Sequence, residues 1–141
     1  MTAILHSEPN SVLFRLQQLG LSETALLRAV MAGYIAKSNC TENHPPLFPP
    51  IAAWSEAVRT LRDVLKPEGW TRFNDQNSPK TVSPDGSISI IVSTGNEATG
   101  IPDAEPATTS SKGPNTAGAI ETLLQGAEGR RLVLHPRRAR R

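Results

Sequence analysis

Residues 51–93 read IAAWSEAVRTLRDVLKPEGWTRFNDQNSPKTVSPDGSISIIVS, and within them the pattern changes from helix to strand. Large apolar residues first recur every three or four positions, which predicts a helix over about 51–65. These residues are Trp54, Val58, Leu61 and Leu65. From 87 to 93 the period becomes two, with isoleucine and valine alternating mostly with serine, which predicts a strand with one buried face. The turn residues Pro84-Asp85-Gly86 precede it and favour a hairpin.

Two further helices are predicted before this stretch. Residues 11–19 form the first, with Gly20 suited to the left-handed position that follows a helix. Ser22 caps the second, which runs to about Lys37. Six apolar residues of the second helix are predicted to share one buried side: Leu26, Leu27, Val30, Met31, Tyr34 and Ile35. The prolines in residues 38–50 predict a stiff, non-helical connection to the third helix, with Pro50 suited to that helix's first turn.

The remaining elements complete an α+β prediction. Short strands are expected at 69–73 and 80–83, an edge strand at 132–134 and one further short helix at 117–125. The predicted fold is an N-terminal three-helix unit packed on a small antiparallel β-sheet, in a single domain over 1–129 with a long loop at 94–116. A basic, arginine-rich tail follows at 130–141. The predicted core consists of Trp54, Leu61, Leu65, Leu26, Val30, Ile35, Ile88, Ile90 and Leu123.

The charge is unevenly distributed along the 141 residues. The last twelve contain six arginines and no acidic residue: Arg130, Arg131, Arg137, Arg138, Arg140 and Arg141. Because the whole chain has 15 Lys+Arg and 13 Asp+Glu, residues 1–129 keep nine basic and 13 acidic groups, a net charge of −4. A cationic end of this kind attracts polyanions through counterion release, and arginine binds phosphate or carboxylate groups with two parallel hydrogen bonds.

These charges predict contact with nucleic acid through the tail. Arg59, Arg62 and Lys66 recur at helical spacing on the third helix and form a basic ridge that can follow a phosphate backbone. The alternative is a solvated helix face, with Asp63 paired to Arg59 one turn away. The helix pair around Gly20 resembles a DNA-binding helix-turn-helix, but the second helix begins with few basic residues, which favours a packing hairpin.

The loop at 94–116 is the predicted anion site. It leaves the longest strand and leads into the start of a predicted helix, where free N–H groups favour anions. The candidate residues are Thr94, Gly95, Asn96, Lys112, Gly113, Asn115 and Thr116. The loop lacks the spacing of a Walker motif, and its acidic residues oppose an anion. It is therefore either a binding site or only a connection.

The sequence predicts no catalytic residue, metal site or cofactor. Cys40 is the single cysteine, which excludes an internal disulfide, and with His44 it supplies too few ligands for zinc. No apolar run approaches the roughly 20 residues that span a bilayer. The N-terminal residues lack the pattern of a secretory signal. We therefore expect a cytoplasmic protein that does not contact membranes.

Several segments resemble a group of small bacterial proteins that are similar to accessory products of plasmids and other mobile elements, with no known activity. The resemblance covers roughly residues 20–125 and does not include the arginine tail. It is carried by 38–46 (SNCTENHPP), Trp54, 58–62 (VRTLR), Gly69-Trp70, 83–86 (SPDG), 90–100 (IIVSTGNEATG) and 112–116 (KGPNT). It implies no catalytic residue, and it implies that the segment 94–116 is important.

Three functions are consistent with these features. The first is a non-enzymatic accessory protein of a bacterial mobile element that contacts nucleic acid through its arginine-rich tail. The second is a protein-binding adaptor or inhibitor, for example of a host defence system, because a mostly acidic body does not favour DNA. The third is an anion or nucleotide binder that uses loop 94–116.

Overall fold

The computed structural model describes residues 4–75, 78–101, 103–105 and 107, together with the backbone of 130–134. The chain forms α1 (Pro9–Gln18), α2 (Glu23–Ser38) and α3 (Phe48–Leu65), followed by a 3-10 turn (Lys66–Glu68). The described residues also form four strands: β1 (Thr71–Asp75), β2 (Ser78–Val82), β3 (Ile88–Val92) and β4 (Arg130–Leu134). The predicted helix at 117–125 and the rest of the tail lie outside the described residues. No helix in the described part of the chain is long and apolar enough to cross a membrane.

The start of α2 follows the cap chemistry of the sequence, whereas α1 and α3 begin without a side-chain cap hydrogen bond. The Ser22 hydroxyl accepts a hydrogen bond from the backbone N–H of Ala25 at 3.1 Å, which confirms the predicted cap of α2. Gly20 has a φ of +72°, as expected after a helix. The prediction of a non-helical connection is wrong for 48–50, because α3 already begins at Phe48. Prolines are compatible with this first turn, where the missing N–H groups have no helical partner.

The sheet has the strand order β1-β2-β3-β4. Strands β1, β2 and β3 are antiparallel neighbours, which confirms the predicted sheet for that part. Strand β4 instead runs parallel to β3, and it begins at Arg130, two residues before the predicted edge strand. The backbones of Arg130 and Arg131, predicted to lie in the tail, therefore belong to the sheet.

The core lies between the helices and one face of the sheet. Helix α3 contacts α2 as well as β1 and β3, so it is the central element. Leu61 and Leu65 of α3 are fully buried against the sheet residues Ile88 and Ile90, and these four predicted core positions are confirmed. The other buried members of the cluster are Leu21, Ala25, Ala29, Ala57, Trp70 and Val92.

The remaining predicted core residues differ in outcome. Trp54 and Leu26 are half-buried and pack against the core cluster, and the Trp54 indole N–H donates to the carbonyl oxygen of Val92 at 2.9 Å. Val30 is also half-buried. Ile35 is exposed, so its assignment to the core is wrong. Leu123 lies outside the described residues.

The prediction of which side of α2 is buried is wrong. The helix packs on α3 through Ala25, Ala29 and Gly33 rather than through its large apolar residues. A Cβ atom at Gly33 would lie 2.6 Å from the carbonyl oxygen of Ala53, so the two helix backbones approach closely. Large side chains cannot occupy such a contact. The four on the opposite side are between 51% and 55% exposed: Leu27, Met31, Tyr34 and Ile35.

The turn between β2 and β3 is held by the carboxylate of Asp85. One of its oxygens accepts hydrogen bonds from the Ser83 hydroxyl at 2.8 Å, and from the Ser87 backbone N–H at 3.0 Å and hydroxyl at 2.7 Å. Gly86 has a φ of +76°, a conformation that favours glycine. The hydrogen bonds from Ser87, and then that from Ser83, lower the pKa of Asp85 from 3.8 to about 2.

The carboxylate of Asp85 makes a stabilising contribution that depends on pH. Because the folded pKa lies below the unfolded one, this stabilisation is fully present above about pH 3.8 and is lost as the pH falls through about 2. We expect the Asp85→Asn variant to lose less stability than the wild type as the pH falls from about 3.8 to about 2. Urea unfolding of the wild type and the variant from pH 5 down to about 2 checks this. Parallel stability curves for the two proteins would contradict it.

Candidate functional site

A groove runs between α3 and the edge of the sheet formed by β1 and β2, with a volume of about 1240 Å³. We call it the α3–β1 groove. Four basic side chains line it: Arg59, Arg62, Lys66 and Arg72. The structure therefore brings together the three basic residues predicted on the third helix, and it adds Arg72 from β1, which the sequence analysis missed.

The strand register explains why Arg72 belongs to this groove. Arg72 is paired with Thr81, and Thr81 is paired with Ile90 of the core. Paired residues on neighbouring strands project from the same face of a sheet, so Arg72 lies on the face that packs against the helices. Asn74, two residues further along β1, lies on the same face. The polar residues of β1 were visible in the sequence, but only the pairing shows which face Arg72 and Asn74 occupy.

Arg62 is anchored in the groove by neutral acceptors. One terminal nitrogen of its guanidinium donates to the side-chain oxygen of Asn74 at 2.7 Å and to the carbonyl oxygen of Lys80 at 3.2 Å. Its Nε atom is buried and has no hydrogen-bond partner. Arg62 therefore bridges the helix and the sheet, rather than lying on a fully solvated helix face.

Arg62 and Arg72 are two like charges in the groove, and the one carboxylate among the described residues that line it, Asp63, is paired with Arg59. Burial lowers the pKa of Arg62, and the positive charge of Arg72 lowers it further. Neither arginine forms an ion pair with a carboxylate within the described part of the chain. Like charges held close together repel each other, and an anion between them would relieve this repulsion. The arrangement therefore favours an anionic ligand.

Arg59 differs from these residues because its charge is already compensated. It donates to Glu56 at 2.7 and 2.9 Å and to Asp63 at 2.9 Å. The interaction with Glu56, followed by that with Asp63, raises the pKa of Arg59. The predicted pairing with Asp63 is confirmed. Arg59 thus has less positive charge to offer a ligand than Lys66 or Arg72, which form no ion pair among the described residues.

The described part of loop 94–116 is closed by hydrogen bonds of its own. The side-chain oxygen of Asn96 accepts from the backbone N–H groups of Ala98 at 3.1 Å and Ala107 at 3.2 Å. The Asn96 N–H donates to the carbonyl oxygen of Ala107 at 2.9 Å. Gly95 is buried and Thr94 is half-buried. The anion site stays a prediction, because the other candidates lie outside the described residues. These are Lys112, Gly113, Asn115 and Thr116.

Cys40 and His44 are engaged separately in the connection before α3. The Cys40 thiol donates to the carbonyl oxygen of Ala36 at 3.4 Å, while His44 Nδ1 accepts from the Thr41 N–H at 2.9 Å. The His44 ring also stacks on Phe48, with 5.2 Å between the ring centres. These contacts stabilise the connection. Within the described ranges, no group of three or more histidine, cysteine or acidic side chains is arranged to hold a metal ion.

Comparison of the chain with protein-family models, with curated proteins and with solved structures gives no match. The functional interpretation therefore depends on the geometry and charge of the α3–β1 groove.

Proposed function

We propose that the protein binds nucleic acid through its phosphate backbone, using the α3–β1 groove with the arginine-rich tail as a second cationic element. The observation that carries the proposal is that Arg62 and Arg72 line one groove, whose single lining carboxylate among the described residues, Asp63, is already paired with Arg59. Phosphate oxygens would supply the missing negative charge. The proposal assigns no chemical reaction to the protein, and it is consistent with an accessory role on a mobile element.

The charge distribution favours a long polyanion over a small phosphate. The arginines of the tail and those of the groove are separate cationic groups, and one strand of nucleic acid can contact both. The body outside the last twelve residues is otherwise acidic, with a net charge of −4. Binding is therefore confined to the groove and the tail, because the remaining surface repels phosphate.

The salt dependence of binding provides the test. We expect the dissociation constant for a fluorescent DNA oligonucleotide, measured by anisotropy, to rise steeply with added salt. Arg72→Ala should weaken binding to all sequences about equally and reduce the salt slope by about 1, as expected for one lost phosphate contact. Arg28→Ala is the matched control, since Arg28 is an exposed arginine of α2 that does not line the groove.

The contribution of the tail is measured separately. Deleting 135–141 removes four arginines and leaves β4 intact, whereas a cut after 129 would remove a strand of the sheet. We expect the shortened chain to bind with a smaller salt slope than the full chain. Binding that is absent or does not respond to salt in the full chain would exclude the proposal. Free nucleotides that compete for the protein as effectively as unlabelled DNA would favour a small-anion binder instead.

A further inference from the structure

Helix α2 is apolar on two opposite sides. One side, formed by Ala25, Ala29 and Gly33, packs against α3. The other carries large apolar residues at spacings of four, three and one, which places them on a single stripe of a helix with 3.6 residues per turn. We call this stripe the α2 outer face: Leu27, Met31, Tyr34 and Ile35.

The α2 outer face is too apolar to be an ordinary solvated surface. Each of its four side chains is between 51% and 55% exposed, although all of them are large. Contiguous exposed apolar patches mark interaction sites, whereas single exposed apolar residues need no explanation. The face therefore requires an occupant.

The charges beside the face indicate which occupant fits. Glu23 lies in the first turn of α2 and Lys37 in the last. They are 14 positions apart, close to four whole turns, so they flank the same edge of the face. Neither forms an ion pair within the described part of the chain. A second α2 in antiparallel orientation would place its Lys37 near Glu23 and its Glu23 near Lys37, while a parallel one would oppose like charges.

We propose that a second copy of this chain covers the α2 outer face, through an antiparallel α2–α2 contact about a two-fold axis close to Met31. The face is self-complementary in this arrangement, as a two-fold symmetric interface requires. Leu27 and Ile35 lie four residues on either side of Met31, so Leu27 of one copy faces Ile35 of the other copy across the axis. The helix dipoles also oppose each other favourably. The inference is independent of nucleic-acid binding, and it gives the assembly two α3–β1 grooves.

The first test is the mass of the full chain in solution. Light scattering after size exclusion should give twice the chain mass of 15.2 kDa. Met31→Glu should raise the dimer dissociation constant on the order of 100-fold or more, because it buries two unpaired carboxylates at the axis. Phe73→Glu is the control, since Phe73 on β1 is 54% exposed, as is Leu27. This variant should remain a dimer.

The second test separates the antiparallel arrangement from any other. Glu23→Lys should weaken the dimer by about 3- to 10-fold, because two exposed ion pairs become like-charge pairs. Adding Lys37→Glu in the same chain should restore the wild-type dissociation constant. Circular dichroism verifies that each variant keeps its helices.

Three results would overturn the proposal. One is a wild-type chain that stays monomeric at every concentration. Another is a dimer that Met31→Glu leaves unchanged. The third is a weakened Glu23→Lys dimer that the second charge reversal fails to restore. A monomer that binds an unrelated protein through the α2 outer face would instead support the adaptor function.

Discussion

Replacing Gly33 by valine is expected to lower the free energy of unfolding by about 3 kcal/mol, near the upper end for overpacking a close contact. The added Cβ atom would lie 2.6 Å from the carbonyl oxygen of Ala53. This atom belongs to the backbone of α3, so the two helices must separate before a side chain fits. Urea unfolding followed by tryptophan fluorescence measures the change, with Trp54 and Trp70 of the core as reporters.

Two further variants test whether the close approach of α2 and α3 causes the loss of stability in Gly33→Val. Gln17→Val places a valine at an exposed position of α1, away from this contact, and should change stability by no more than about 0.5 kcal/mol. Ala57→Gly should fail to rescue Gly33→Val, because it removes only the second contact, at 3.3 Å, and leaves the Ala53 oxygen in place. A Gly33→Val protein as stable as the wild type would show that α2 and α3 do not pack as described.

Reversing two charges in the α3–β1 groove is expected to weaken nucleic-acid binding at least about 100-fold at low salt, through lost and repelled phosphate contacts. The variant is Lys66→Glu combined with Arg72→Glu. Both residues are exposed, and neither forms an ion pair within the described residues, so the fold should be retained. Anisotropy titrations at two salt concentrations measure the effect, which should diminish as salt screens the groove.

Arg59→Ala combined with Asp63→Ala is the charge-neutral control within the same groove. Because this change removes one positive and one negative charge that already compensate each other, we expect it to weaken binding much less than Arg72→Ala does. Equal losses for the two variants would mean that disturbance of the groove, rather than the uncompensated charge of Arg72, weakens binding. A double reversal without effect would assign any nucleic-acid binding to the tail alone.

The two candidate surfaces differ in how far the sequence predicted them. The spacing of Arg59, Arg62 and Lys66 placed them on one helix face, and the structure confirms their proximity. The sequence predicted the pair of Arg59 with Asp63, but it could not show the second pair with Glu56, since side-chain pairing depends on rotamers. Nor could it identify Arg72, whose side of the sheet is set by pairing with β2. Of the α2 outer face, only Ile35 was predicted to lie in the core, and it is exposed.

The sequence by itself determined the local structure of this protein. Cap residues such as Ser22, helical spacing in α3 and the alternation around Ile90 act over a few neighbouring residues, so three helices and an antiparallel hairpin were predictable. Only the tertiary structure decided which side of α2 is buried. Periodicity records where apolar residues lie, but the closeness of two helices depends on backbone contacts such as that between Gly33 and Ala53. Those contacts select the small residues for the core and leave the large ones exposed.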